Sequence, residues 1–157
     1  MPSWMMGLVV AVVVLAAATV VGLLWQRRNG RLRTVQGGGP VPEQDAEAEV
    51  LARLGVPADA PVTLLQFSSA FCAPCRATRR ICAEVSDQLD GVVHIEVDAE
   101  SHLDEVRALD VLRTPTLFVI GAGRRTVQRA SGAPSKPQLI AAIAPLLTEP
   151  AGAAQIS

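Results

Sequence analysis

The sequence predicts an α/β fold in which helices flank a mixed central β-sheet, preceded by one N-terminal transmembrane helix. Between residues 43 and 148, short apolar runs typical of strands alternate with segments of helical spacing. A β-α-β unit followed by a hairpin and a helix predicts a mixed sheet that is covered on both faces. The chain opens with a long uncharged segment, which predicts the additional helix.

Residues 5–25 have the length and composition of a membrane anchor. Leu8 to Leu24 is almost wholly apolar, and Trp4 and Trp25 bracket it 21 positions apart, which is about 31 Å of helix. A hydrocarbon core is about 30 Å thick, and tryptophan favours its two interfaces. A cleaved signal peptide is the alternative, but it would have a basic N-terminal region and a shorter apolar core.

The charges beside this segment predict its orientation. Arg27, Arg28, Arg31 and Arg33 follow it, and neither Lys nor Arg precedes it. By the positive-inside rule, the N-terminus lies outside and the following domain lies in the cytoplasm. A domain outside the cytoplasm is the alternative topology.

The rest of the chain divides by composition and periodicity. Residues 26–42 form a linker that is first basic and then rich in Gly and Pro. Residues 43–148 form one domain, and residues 149–157 are small and polar, which predicts a disordered tail.

Apolar spacing predicts each element of the domain in turn. The predicted helices cover residues 43–54, 73–89, 101–109 and 135–147. Ser101 is the expected N-cap of the third helix, and Ser135 with Gln138 has the spacing of a capping box for the fourth. The predicted strands cover residues 62–67, 92–97, 116–120 and, after the turn at Gly121-Ala122-Gly123, the stretch through Arg129 or Ala130.

Cys72-Ala73-Pro74-Cys75 carries the chemistry, because a predicted strand leads into it and a predicted helix follows. Unpaired N–H groups at the start of a helix stabilise a thiolate on the first cysteine. We therefore expect Cys72 to be the more exposed and more acidic thiol. Cys75 is close enough to attack a mixed disulfide that Cys72 forms.

Two other uses of the cysteines are less consistent with the sequence. A structural zinc site needs a second pair of ligands, and Cys82, His94 and His102 include no second close pair. A purely structural disulfide would close a very short loop and restrain little chain entropy. We therefore expect no metal and no cofactor other than a redox-active disulfide. The net charge of −1 gives no reason to expect nucleic acid as a partner.

Residues 43–148 resemble the thioredoxin family. The resemblance rests on the Cys72-Ala73-Pro74-Cys75 motif, on Thr114-Pro115-Thr116 before a strand, and on Gly132 after the last strand. It implies a disulfide oxidoreductase in which Cys72 is the nucleophile, Cys75 the resolving thiol and Pro115 a cis-proline opposite Cys72. The implied substrate groove comprises Phe71, Ala73, Pro74, Arg113 and Thr114.

The chain departs from the family's pattern at several positions. Phe71 stands where the family usually has Trp, and it would keep an apolar cover without a hydrogen-bond donor. Ala73 stands where Gly is usual, which favours helix. Arg80 stands where a proline is common, so the helix is expected to be straighter. Gln66 stands where the family has a buried Asp, and an amide cannot take a proton at ordinary pH.

His94 is the candidate replacement for that acid. It matches the family's lysine on the neighbouring strand, so we expect it to lie beside Gln66 and to relay a proton during resolution. The alternative is a partly exposed strand residue with no proton role.

Other polar and sulfur-bearing residues have simpler interpretations. Cys82 is expected to be a small buried apolar residue, and His102 a surface residue. Arg76 and Arg113 either flank the cysteines and favour the thiolate or belong to a solvated face.

These observations favour a membrane-anchored thiol–disulfide oxidoreductase that reduces partner proteins. Its expected partners are protein disulfide substrates, membrane lipid around the helix, and an upstream electron donor such as a thioredoxin reductase or a membrane thiol carrier. One alternative is a reductase outside the cytoplasm that acts on exported thiols or cytochrome apoproteins. The other is a binding module in which the cysteines are incidental.

Overall fold

The computed structural model describes residues 3–28, 30–35 and 41–148. The described helices are α1 (Ser3–Arg28), α2 (Val41–Arg53), α3 (Ala73–Gln88), α4 (Leu103–Ala108) and α5 (Lys136–Thr148). The described strands are β1 (Arg33–Thr34), β2 (Val62–Ser68), β3 (Val92–Asp98), β4 (Thr116–Gly121) and β5 (Arg125–Ser131). A short 3-10 turn, Ala122–Arg124, joins β4 to β5.

The strands form one mixed sheet in the order β1-β5-β4-β2-β3. β2 and β3 are parallel, while β4 pairs antiparallel with both β2 and β5. β2 is buried along its whole length, as its unbroken apolar run predicts for a central strand that is covered on both faces. The predicted mixed sheet is therefore confirmed.

Two apolar cores cover the two faces of the sheet. On one face Leu65, Phe67 and Phe118 pack with residues of α2 and with Leu109, which follows α4. On the other face the sheet packs against α3 and α5, through residues such as Val85 and Leu139. Because both faces are apolar, β2 is held rigidly between the two layers, and its C-terminal end can position a site.

α1 is long and apolar enough to cross a membrane, and none of Met5–Leu24 is buried against the rest of the chain. A membrane anchor and an N-terminal signal sequence share these properties. The side chains of Trp4 and Trp25, which the sequence places at the interfaces, lie outside the described residues, as does the tail predicted for residues 149–157.

The structure differs from the prediction at two element boundaries and agrees with it in part at a third. The linker predicted over residues 26–42 contains the end of α1, the strand β1 and the start of α2, while residues 29 and 36–40 lie outside the described residues. Ser101 does not cap α4, since its hydroxyl binds Asp98 Oδ2 at 2.6 Å and His102 occupies the N-cap position. One half of the capping box at α5 is present, because Gln138 Oε1 accepts from the Ser135 N–H at 3.1 Å, while the Ser135 hydroxyl donates to the same oxygen at 3.0 Å.

β1 and the residues on either side of it are hydrogen-bonded to the edge strand β5. Arg33 pairs with Arg129 on the edge strand β5, and the Val35 N–H donates to Val127 O at 3.0 Å. Gly30 donates to Ser131 O at 3.0 Å with a φ of 79°. A Cβ atom at Gly30 would lie 2.1 Å from Ala133 O, so a residue without a side chain is required there.

We expect Gly30→Ala to lower the free energy of unfolding by about 1–3 kcal/mol, because it combines a left-handed backbone with a backbone clash. Gly55→Ala is the matched control, since Gly55 has a φ of 80° and open space where its Cβ would lie. Urea unfolding and amide exchange at Val35 measure the difference. Equal losses in the two variants would show that the segment is not docked at Ala133.

Candidate active site

The two cysteines of the motif lie at the junction of β2 and α3. Cys72 is the N-cap residue of α3, and the Cys75 N–H donates to its sulfur at 3.1 Å. Pro74 lies in the first turn, where a missing N–H costs nothing. Cys72 and Cys75 form a disulfide with a Cα–Cα distance of 5.2 Å. The helix start therefore supplies the donor that a Cys72 thiolate needs.

The two sulfurs differ in access. Cys72 is partly exposed, whereas Cys75 is 1 % exposed. The predicted difference in exposure is thus confirmed, and a partner can reach Cys72 but not Cys75. The greater acidity of Cys72 remains a prediction.

The loop that contains Pro115 lies beside the motif. The Thr114–Pro115 peptide bond is cis, and Pro115 itself is buried. The Thr114 hydroxyl binds the hydroxyl of Ser69 at 3.1 Å, and Ser69 O accepts from the Cys72 N–H at 3.3 Å. Two segments that are remote in sequence are therefore joined directly at the redox pair.

The surface around the pair is open and partly apolar. Phe71 is 98 % exposed and Leu112 is 84 % exposed, and Ala73, Pro74 and Arg113 are also exposed. The expectation that Phe71 forms an apolar cover is wrong, because the loop between β2 and α3 turns its ring to solvent. Its ring is available instead to a partner.

A polar cleft adjoins the disulfide on the side of β3. Its wall is formed by both cysteines together with residues of β2, α3 and β3, namely Ser68, Ser69, Ala70, Arg76, Arg79, Glu96 and Asp98. Arg79 donates to Glu96 Oε1 at 2.7 Å and forms a second, shorter contact with Oε2. The cleft that Cys75 helps to line therefore contains an ion pair.

Burial by itself would raise the pKa of Glu96, but hydrogen bonds from Arg79 and Ser68 outweigh it and leave that pKa below its ordinary value. Glu96 is thus a carboxylate throughout the neutral range. A carboxylate acts as a general base toward a thiol that lies within hydrogen-bond reach of it, either directly or through one water molecule.

The expected pairing of Gln66 with His94 is wrong in register. Gln66 lies opposite Glu96, and His94 lies opposite Leu64, two residues further from the motif. Gln66 is fully buried and donates to Cys75 O at 3.0 Å. Gln66 therefore positions the first turn of α3, and Glu96 occupies the place beside it that His94 was expected to fill.

His94 does share the face of the sheet that carries Gln66 and Glu96. Its partial burial, with the nearby Arg79 cation, lowers its pKa despite the opposing effect of Glu96. His94 Nε2 and Gln66 Oε1 are buried, and neither has a hydrogen-bond partner among the described residues. His94 is therefore neutral near pH 7 and is not among the residues that line the cleft.

The remaining candidates are one buried cysteine and three polar residues that differ in their contacts. Cys82 is free and fully buried, and burial raises its pKa to about 12, so it behaves as the expected small apolar residue. Arg76 is exposed and lines the cleft, whereas Arg113 donates to Ser131 O at 3.0 Å. His102 Nδ1 lies 3.0 Å from Asp98 O.

Glu96 is the residue that sequence reasoning missed. Alternation along β3 places it on the same face as His94, but only the register of β2 against β3 distinguishes the two. The ion pair with Arg79 also joins residues of different elements, so no local spacing indicates it.

Comparisons with known proteins agree on one family. The family model described as Thioredoxin matches residues 52–145. The chain is 31 % identical over 88 residues to Thioredoxin H4-1 of Oryza sativa subsp. japonica, covering 56 % of this chain and 66 % of that protein. It is 31 % identical over 81 residues to Thioredoxin H4-2 of the same plant, covering 52 % and 60 %. The chain thus spans just under two thirds of the length of these relatives.

Solved structures show the same fold. A mutant thioredoxin from Halobacterium salinarum NRC-1 superposes with a TM-score of 0.55 at 20 % identity, covering 59 % of this chain and 80 % of that one. The reduced thioredoxin pre-protein of Schistosoma mansoni gives a TM-score of 0.53 at 19 % identity, covering 62 % and 90 %.

Proposed function

The chain belongs to the thioredoxin family, and from this premise we propose that it is a membrane-tethered thiol–disulfide oxidoreductase that reduces disulfides in partner proteins. One observation carries the proposal: the disulfide between Cys72 and Cys75 lies at the N-terminus of α3 with only Cys72 accessible. An accessible sulfur beside helix N–H groups is suited to attack, and a buried neighbour is suited to resolution.

The proposed reaction begins with the reduced pair. The Cys72 thiolate attacks one sulfur of the partner's disulfide, that bond breaks, and the released partner sulfur takes up a proton. Cys75 then loses its proton and attacks Cys72, which releases the second partner thiol. Two electrons have passed to the partner, and the Cys72–Cys75 disulfide has formed. A separate dithiol donor, such as a thioredoxin reductase or a membrane thiol carrier, must reduce it again.

Glu96 is the residue that accepts the proton of Cys75 in this scheme. Both line the same cleft, and the ion pair with Arg79 keeps Glu96 ionised. Gln66 stands where the family has an acid and can only hold the Cys75 carbonyl. In this chain the acid therefore lies on β3 at Glu96, which pairs with Gln66, and not on β2 at the position of Gln66 itself.

Single-turnover reduction tests the function. We expect the full chain in detergent, reduced and freed of excess reductant, to reduce a model protein disulfide and to form its own disulfide in equal amount. The double variant Cys72→Ser, Cys75→Ser controls for contaminating thiols. A double variant that still fulfils the cellular role would favour the binding-module alternative.

The membrane tether is supported by α1 and by the arginines that follow it. The uncharged Ala73-Pro74 between the cysteines resembles reducing members of the family, and a cytoplasmic domain suits reduction. We expect a reporter that is active only outside the cytoplasm to stay silent when fused after Ser157. Strong reporter activity would place the domain outside and favour a substrate among exported or cytochrome proteins.

A further inference from the structure

The membrane anchor enters the domain at the end of the sheet that carries the redox pair. β1 runs antiparallel to β5, β5 antiparallel to β4 and β4 antiparallel to β2. The start of β1 is therefore level with the ends of β5 and β2 and with the start of β4. At this end of the sheet, Thr116 pairs with both Ser131 and Phe67. Phe67 is five residues before Cys72 in the sequence.

Hydrogen bonds, linked through residues that are adjacent in the chain, join the entry point to the redox pair step by step. Gly30 donates to Ser131 O at 3.0 Å, and the Gly132 N–H donates to Pro115 O at 2.7 Å. The neighbouring Thr114 binds Ser69 at 3.1 Å, whose carbonyl holds the Cys72 N–H. Gly30 packs so closely against Ala133 that a Cβ atom would not fit, so only a glycine allows the chain to enter the domain at this point.

These connections limit how far the redox pair can lie from the bilayer. From β1 to β2 is three strand spacings, or about 14 Å, and the two-residue step from Arg28 to Gly30 adds at most about 7 Å. Entry at the opposite end of the sheet would add the length of β2, about 23 Å.

We propose that the redox pair faces the membrane surface and that its substrate is a disulfide in another protein bound to the same membrane face. The inference rests on the proposed function, because it needs both the tether and the reducing chemistry. The two most exposed large apolar side chains of the described domain, Phe71 and Leu112, also border this end. Both side chains would meet the apolar surface that such a partner presents close to the headgroups.

A rigid spacer tests the geometry. Four Glu-Ala-Ala-Ala-Lys repeats inserted between Arg28 and Gly30 would raise the domain by about 30 Å. The same insertion within residues 37–39 is the matched control, because it follows β1 and leaves the entry point unchanged. Each protein is reconstituted as the full chain in phosphatidylcholine vesicles and reduced before a single turnover.

The probe is a quenched peptide that fluoresces when its disulfide is reduced. It is attached to a lipid headgroup either directly or through a polyproline spacer of about 60 Å, and it is also tested free in solution. We expect the insertion after Arg28 to slow reduction of the directly attached probe by at least about tenfold. The long spacer restores the rate, and the control insertion has no effect.

An unchanged rate on the directly attached probe after the Arg28 insertion would overturn the inference, as would an equal loss in the control. Failure of the proposed function is distinguishable. In that case the full chain does not reduce the probe even in free solution, or it does not remain with the vesicles.

Discussion

Cys72→Ser should abolish single-turnover reduction of a protein disulfide, with a loss of at least about a thousandfold, because a serine hydroxyl is not ionised at neutral pH and cannot replace the attacking thiolate. The reduction of a model disulfide at neutral pH measures this loss. Cys82→Ser is the matched control, since that thiol is fully buried and has a raised pKa, and it should retain the activity.

Cys75→Ser should behave differently from Cys72→Ser. Attack by Cys72 continues, but the mixed disulfide is not resolved, so a covalent complex with the partner accumulates. Non-reducing electrophoresis detects it. If Cys72→Ser accumulates the complex and Cys75→Ser does not, the two roles are reversed, although the exposed fractions of the two residues argue against this.

Glu96→Gln should slow resolution of the mixed disulfide by about a hundredfold, because the substitution removes the carboxylate that receives the Cys75 proton and keeps the side-chain shape. Attack by Cys72 should be nearly unaffected. Stopped-flow measurement of partner release, after rapid formation of the mixed disulfide, separates the two steps. His94→Gln is the matched control on the same strand and the same face, and it should release the partner at the normal rate.

The pH dependence of release distinguishes the two residues. The pKa of Glu96 is lowered, so Glu96 is ionised and can accept a proton at neutral pH. The rate of partner release should therefore fall only at acid pH, where Glu96 becomes protonated. Burial lowers the pKa of His94 below the ordinary histidine value, so a histidine base would cause the rate to fall only when the pH drops below the ordinary histidine range. A fall of that kind, removed by His94→Gln, would assign the relay to His94 instead.

Much of the site was predictable because its parts are close together in sequence. The strand, the motif and the helix occupy one local segment, and helix geometry alone places Cys72 ahead of the N-terminus and Cys75 in the first turn. The burial of Cys82 follows in the same way from its four-residue spacing to Thr78 and the three-residue step to Val85.

Expectations failed where they depended on how separate elements fit together. Gln66 and His94 have the correct alternation within their own strands, but a shift of two residues in the pairing of β2 with β3 puts Glu96 opposite Gln66. Alternation defines the face of a strand and leaves its register open. Exposure of Phe71 likewise depends on the path of the loop between β2 and α3, which no periodicity describes.

The family, the sheet architecture and the two redox cysteines could be predicted from the sequence, because these depend on local spacing and on the order of elements along the chain. The acid that lines the same cleft as Cys75, and the edge of the sheet that β1 joins, depend on how distant segments pack together. Arg33 and Thr34 carry no strand signal of their own, and they form β1 because the edge of β5 offers unpaired backbone groups. The position of the redox pair relative to β1 follows from that pairing.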